Sequence, residues 1–191
     1  MSYLSDEEFE VIAEEVALLS IKEVDDNMVS SFESNIEEYD HYLKMATLFD
    51  WLNISKTFVL IHRKTKELIA YMTLSADAIK LTSDEKEVHH ISKVPYATVP
   101  ALKIGKLAVN KNLSELVDRK GYGSFMLELA RGFAFEMNVL GIACRFLTVD
   151  ADIEYNESTP RFYEKNGFVI NLCNKSRVPR HTISMRKDIF T

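Results

Sequence analysis

The feature that most restricts the fold of this chain is one passage, Leu102 to Val149. In it a β-rich run, a Gly121-x-Gly123 turn, a long amphipathic segment and a second apolar run follow one another. Tyr122, Phe125, Met126, Leu129, Phe133 and Met137 recur at helical spacing and predict a helix over Tyr122 to Val139, with Gly141 as its stop. Ile142 to Val149 is nearly continuous in apolar side chains. Such a run suits a strand covered on both faces, so the passage calls for a sheet with layers packed against it.

The remaining segments fill in that architecture. Thr57–His62 and Leu68–Leu74 are β-rich and are separated by the charged Arg63-Lys64-Thr65-Lys66-Glu67, which predicts an antiparallel hairpin. Over Met28–Leu52 the set Phe32, Ile36, Tyr39, Tyr42, Leu43, Ala46 and Phe49 repeats at helical spacing, as one long helix or two short ones capped by Ser30 or Ser31. Trp51, Tyr39 and Phe49 are expected in the core. Ser5–Ser20 fits a helix through Phe9, Ile12, Val16 and Leu19, while Val16–Val24 reads equally well as a strand. Thr82–Pro100 is polar and charged and reads as a long excursion, with His89 and His90 facing solvent. Ser158-Thr159-Pro160 opens a short helix that Asn166-Gly167 ends, and Phe168–Leu172 and His181–Met185 close the chain as strands. The order predicts an α/β (mixed α+β) fold, with residues 1–191 as a single domain.

Composition narrows the function classes. With 47% hydrophobic and 27% charged residues, the chain can bury a core. No apolar run approaches the ~18 residues of a membrane span, and the first residues are acidic, so a cytoplasmic protein is expected. Cys144 and Cys173 form neither a Cys-x-x-Cys pair nor part of a His cluster, so reduced thiols and no metal site are expected. The net charge of −6 is unevenly spread: residues 1–50 carry fourteen acids and two bases, the rest fifteen acids and twenty-one bases. A basic later part is suited to handling an anion. The acidic balance of the whole chain disfavours nucleic acid as the main partner.

An anion site has a natural place. Glycines at the start of a helix let backbone N–H groups close around an anion where the helix dipole is positive, and Arg119 and Lys120 would add charge there. The pattern is neither the Gly-x-Gly-x-x-Gly dinucleotide fingerprint nor a phosphate loop ending in Gly-Lys-Ser/Thr.

A second element downstream gives the turn its meaning: Asn156, then Phe162-Tyr163-Glu164-Lys165-Asn166-Gly167-Phe168. With the strand ending Leu107-Ala108-Val109, the Gly121-x-Gly123 turn, the long helix and the apolar strand, it resembles the GNAT superfamily of acyl-CoA-dependent N-acetyltransferases, in the family's order over roughly residues 57–170. The resemblance implies a central mixed, mostly antiparallel sheet with splayed central strands, flanked by helices. It implies acetyl-CoA as co-substrate and a primary amine of a small molecule or protein as acceptor. It also leaves room for a homodimer.

The resemblance assigns roles by position. Backbone groups of Leu107, Ala108 and Val109 would pair with the pantetheine arm like a missing strand. The amides of Lys120, Gly121, Tyr122, Gly123 and Ser124, with Arg119, would hold the pyrophosphate; Asp118 stands where the family's signature usually has Arg or Gln. Asn156 would bond the cofactor arm. Tyr163 would act as general acid on the leaving thiolate, since a phenol near pKa 10 and a thiol near 8.5 make that transfer feasible. No general base is evident: Leu102–Val109 holds Lys103 and Lys106 but no acid, and Asp150 and Asp152 read as turn residues. Two further functions fit the same motifs, a GNAT-type toxin acetylating aminoacyl-tRNA and a non-catalytic acyl-CoA-binding regulatory domain.

Overall fold

The computed structural model describes residues 4–117, 121–174 and 181–191. Strands β1 (Val16–Ser20), β2 (Lys56–His62), β3 (Leu68–Lys80), β4 (Thr98–Val109), β5 (Phe146–Asp152), β6 (Val169–Ile170) and β7 (Thr182–Asp188) form a seven-stranded sheet ordered β1-β2-β3-β4-β5-β7-β6. The β4–β5 pair is parallel, and β1–β2, β2–β3, β5–β7 and β6–β7 are antiparallel. The helices are α1 (Asp6–Glu15), α2 (Asp26–Ser31), α3 (Glu37–Trp51), α4 (Ser83–Val88), α5 (Tyr122–Val139) and α6 (Thr159–Lys165). This is the mixed α/β, mostly antiparallel architecture expected. Contacts group the chain into two compact units, one of Leu4–Ser75 with Gly105–Leu129, the other of Ala76–Ile104 with Ala130–Thr191.

In the first unit both readings of the opening segment hold, one after the other. Ser5 accepts the Glu8 amide at 3.2 Å while the Glu8 carboxylate accepts the Ser5 amide at 2.8 Å, a capping box that starts α1 with three acids on the positive end of its dipole. The chain then straightens into β1. The next helical stretch is two helices: α2 is capped by Asp25, and α3 starts after Ile36 with no side-chain cap bond. Ser30 and Ser31 lie inside α2, so neither is the cap expected. Ile21, Val29, Phe32, Leu43, Ala46, Val59, Ile61, Leu68, Tyr71 and Ala108 form the core here. Tyr71 keeps its hydroxyl satisfied by donating to the Tyr39 carbonyl at 2.8 Å, and burial pushes its phenol far above the ordinary value. Trp51, expected in the core, is 77% exposed. The buried stripe of α3 runs Leu43, Ala46, Asp50, and Trp51 lies about 100° round the helix from it.

The second unit corrects several expectations. The polar stretch Thr82–Pro100 holds α4, begun by a capping box between Thr82 and Glu85, and the start of β4 at Thr98. Ile79, Leu81, Val99, Ala101 and Phe146 form a core with Ile91 packed against it. Residues Ile142–Arg145 are a loop rather than strand: the Ile142 amide turns back to the Met137 carbonyl, and the Asn138 carboxamide takes both backbone groups of Cys144. The Asn138 Nδ2 donates to the carbonyls of Ala134 (2.9 Å) and Cys144 (2.8 Å), and its Oδ1 accepts the Cys144 amide at 3.2 Å. Gly141, at φ +81°, makes the reversal that sets this up. The expected strand Phe168–Leu172 shrinks to Val169–Ile170, since the Leu172 amide turns to the Glu85 carboxylate at 2.9 Å.

The same unit buries charge. Glu85 and Arg186 are 4% and 5% exposed and bond at 2.7 Å, Oε1 to Nη1. The Asp188 carboxylate accepts Arg145 Nη2 at 2.7 Å and meets His89 Nδ1 at 3.0 Å. His89 is therefore a half-buried residue set edge-on to Phe146, not the solvent-facing one expected. Asp188 at its ring and Arg145 at its carbonyl, both more than forty residues away in sequence, hold it there, a signal that local polarity cannot carry.

Candidate functional site

Strand β4 changes its surroundings partway. Its register with β5 runs from Ala101–Phe146 to Ile104–Val149 and stops there, while β4 continues to Val109. β4 thus outruns its ladder with β5 by five residues, Gly105 to Val109. Of the residues beyond, Ala108 is buried and Leu107 and Val109 are half-buried. The Lys106 amide donates to the Thr73 hydroxyl at 2.9 Å, and its Nζ bonds Glu38 at 2.6 Å and lies 4.2 Å above the centre of the Tyr39 ring. At the end of the strand, the Asn110 amide donates to the Ile69 carbonyl (2.7 Å) and its Nδ2 to the Leu68 carbonyl (2.9 Å).

The connection that follows β4 is packed down. Leu113 and Val117 are buried, and the Ser114 amide and hydroxyl both donate to the Glu67 carboxylate, at 2.8 and 2.7 Å. Bonds from Thr65 and Ser114 hold that carboxyl below its ordinary range against the opposing effect of burial. Arg119 and Lys120, named above for the pyrophosphate, and Asp118 lie outside the described residues. Gly121 is the N-cap of α5, its carbonyl accepting the Phe125 amide at 2.8 Å. Two conditions require glycine there. Its φ is +84°, and a Cβ would stand 2.9 Å from Leu4 Cδ2 and 3.2 Å from Ile12 Cδ1. Tyr122, Gly123 and Ser124 form the first turn of α5, where amides have no i−4 carbonyl of the helix to bond. Tyr122 and Ser124 are both buried, and Gly123 between them is half-buried.

In the other unit, Asn156 shapes the entry to α6. Its Oδ1 accepts the Ser158 amide at 2.9 Å and the Ser158 hydroxyl at 2.7 Å, and its carbonyl accepts from Thr159. Tyr163 is buried on α6 between Phe162 and Phe168, ring centres at 5.1 and 5.4 Å, both edge-on. Its carbonyl accepts the Phe168 amide at 3.0 Å, so the turn after α6 fixes the tyrosine's backbone. A hollow of about 380 Å³ on this helix is lined by Ser158, Arg161, Phe162, Lys165 and Asn166. The sequence reasoning passed over Arg161 and Lys165. Their signal was two cations at i, i+4, which put both on one face of α6. Asp150 lies within β5 rather than in a turn and pairs with Lys103 at 2.5 Å, whereas Asp152 does serve a turn, accepting the Glu154 amide at 3.0 Å. Among the described residues no group of three His, Cys, Asp or Glu could hold a metal, and no helix is long and apolar enough to cross a membrane. Cys144 is buried, which pushes its thiol up, and Cys173 is exposed.

No family model matches the sequence, and no curated protein matches it. Solved structures do match it in shape. A tyrosine-to-phenylalanine mutant of KacT superposes with a TM-score of 0.67 at 21% identity, over 92% of this chain and 96% of that one. AtaT complexed with acetyl-methionyl-tRNAfMet gives 0.68 at 17% identity, over 91% and 94%. AtaTR bound with acetyl-CoA gives 0.65 at 17%, over 93% and 95%. Likeness in shape at these identities shows the fold: the chain has a GNAT-like fold.

Proposed function

We propose that the chain is an N-acetyltransferase, residues 1–191 acting as one catalytic domain that transfers an acetyl group from acetyl-CoA to a primary amine. The observation that carries the reading is the end of the β4–β5 ladder at Ile104–Val149, beyond which β4 runs on through Leu107, Ala108 and Val109. A strand edge of this kind suits an extended, amide-containing arm that adds as a strand. The first-turn amides of α5 after Gly121 suit the pyrophosphate, with Arg119 and Lys120 as added charge. Asn156 contributes to the cofactor arm, and Arg161 and Lys165 add cationic charge on α6.

The chemistry asks little of the protein beyond position and a proton. A neutral amine nitrogen attacks the thioester carbon, the new C–N bond forms and the C–S bond breaks. The proton lost by the amine passes to solvent, and the Tyr163 hydroxyl supplies one to the departing thiolate. Holding both reactants in line supplies the larger part of such a rate enhancement. No cysteine is assigned as nucleophile, so no acyl-enzyme is involved.

A second reading is that the amine belongs to an aminoacyl-tRNA. It is supported by the likeness in shape to AtaT, solved with acetyl-methionyl-tRNAfMet. Against it stands the net −12 of residues 1–50, which repels phosphate. Acetyl-CoA consumption measured against a panel of small amines, lysine peptides and aminoacyl-tRNAs decides between the two. No consumption with any acceptor on the panel, together with tight acetyl-CoA binding, would instead favour a non-catalytic acyl-CoA-binding module.

A further inference from the structure

We propose that Thr73 is a positioning residue for acetyl-CoA, its hydroxyl fixing the course of β4 just before the three residues that receive the cofactor arm. The inference rests on the acetyltransferase reading above. In a regular ladder, strand amides are taken by carbonyls of the neighbouring strand. Here the Lys106 amide is taken by a side chain of the neighbouring strand, Thr73 Oγ1, at 2.9 Å. Thr73 is 2% exposed, so water does not compete for that bond.

The sequence makes room for this contact at a second position. A Cβ on Gly105 would stand 2.8 Å from the same Thr73 Oγ1, a distance real Cβ atoms do not show. Glycine at 105 is thus what lets the hydroxyl approach the amide of 106. Four residues further on, the Asn110 amide and Nδ2 hold the strand to Ile69 and Leu68. Leu107, Ala108 and Val109 are suspended between two anchors on β3, at Thr73 and at Ile69–Leu68.

The position of the first anchor matters physically. Register with β5 ends at Ile104, and a strand that loses a neighbour is free to twist and fray. A side-chain acceptor just past that point bends and pins it in one course, as a bulge does. An arm binding to a prearranged edge is spared the cost of ordering that edge, and this is where the affinity gain arises.

The test uses Thr73→Val, which removes the hydroxyl but keeps the β-branched shape, and Thr73→Ser, which keeps the hydroxyl. Amide hydrogen exchange at Lys106 reads the anchor without any cofactor, calorimetry with acetyl-CoA reads affinity, and thermal unfolding reports the fold. In Thr73→Val, Lys106 exchange should accelerate and both Kd and KM for acetyl-CoA should rise about tenfold, the scale of one well-made hydrogen bond, with kcat within about twofold. Thr73→Ser should restore both. Gly105→Ala, whose methyl displaces the hydroxyl, should reproduce the Val variant, and combining the two should cost no more than either alone. Gly105→Ala carries the comparison if Thr73→Val does not fold. Wild-type affinity in a folded Thr73→Val overturns the proposal, whatever the exchange shows. Wild-type protein that binds no acetyl-CoA overturns the acetyltransferase reading itself, and this proposal with it.

Discussion

The two units hold themselves together by different means. The unit of Leu4–Ser75 and Gly105–Leu129 has a core of aliphatic and aromatic side chains, with Tyr71 anchored by its hydroxyl to the Tyr39 carbonyl, and its buried carboxylate, Asp50, is paired with two exposed lysines, Lys22 and Lys56. The unit of Ala76–Ile104 and Ala130–Thr191 has a smaller apolar core and adds buried charge: Glu85 with Arg186, and Asp188 with His89 and Arg145. The proposed roles divide along nearly the same line, Asn156 on the cofactor arm being the exception in the second unit. The backbone edge and helix start assigned to cofactor binding belong to the first unit, and Tyr163, assigned to the chemistry, belongs to the second. A packed apolar core is insensitive to pH, whereas paired buried charges are linked to it and fail when one partner is lost. The comparison therefore predicts that chemistry and affinity, and apolar and ionic stability, can be damaged separately.

The sharpest separation comes from Tyr163→Phe. The ring stays between Phe162 and Phe168, so acetyl-CoA affinity should be retained by calorimetry while turnover falls by roughly 10²–10⁴-fold, the range of a general acid. Turnover within twofold of wild type, with acetyl transfer limiting, would remove Tyr163 from the mechanism. Next in size is Arg186→Met, which leaves the Glu85 carboxylate buried and unpaired. Denaturant unfolding should show a loss of about 3–5 kcal/mol, only partly recovered in Glu85→Leu/Arg186→Met, because the apolar pair avoids desolvating two charges but gives up the bonds of Glu85 to the Thr82 and Leu172 amides.

Gly123→Val tests the first unit in the opposite sense from Tyr163→Phe. It places a branched side chain on the first turn of α5, so acetyl-CoA affinity should fall about tenfold or more in a protein that remains folded. Unchanged affinity would put the phosphates elsewhere. The smallest effect concerns pH. Burial lowers the His89 pKa below its ordinary value of 6.5, Arg186 and Arg145 lower it further, and Asp188 opposes them. The unfolded chain then takes up a proton below about pH 6.5 that the folded chain refuses, so stability present at neutral pH is lost on acidification. The slope contributed by this one group cannot exceed about 1.4 kcal/mol per pH unit. Unfolding free energies from pH 7 to 5 should fall in wild type and fall less in His89→Gln.

The parts of the fold that the sequence made legible are those whose signal is local. The helix Tyr122–Val139 was found to the residue, the β2–β3 hairpin nearly so, and α6 by its proline and Asn-Gly stop, because periodicity and turn chemistry act over a few residues. The motif passages around Leu107–Val109, Gly121 and Tyr163 were legible for the same reason. Segments held by distant partners were misread. Thr82–Pro100 resembles a linker because its stabilising contacts are to Leu172 and Arg186, far along the chain. His89 looked exposed for want of Asp188, and Ile142–Arg145 looked like strand because the groups that turn it back, the Met137 carbonyl and the Asn138 carboxamide, lie in the helix before. Thr73 carried no signal at all: a threonine within a β-rich run is unremarkable until the amide of Lys106 is seen to meet it.

That carboxamide also bears on how fast the chain can fold. Asn138 ties the end of α5 to the residues leading into β5 across a separation of six residues, whereas the bond between Glu85 and Arg186 closes a loop of 101. Loop closure costs entropy that grows as the logarithm of length, so the Asn138 clasp forms for several-fold less of it and can exist before any distant partner arrives. It converts the exit of a helix into the start of a strand during the earliest organisation of the chain. Asn138→Ala should accordingly slow refolding more than it speeds unfolding, and Arg186→Met should do the reverse, a pair of rates that stopped-flow measurements on both variants would read directly.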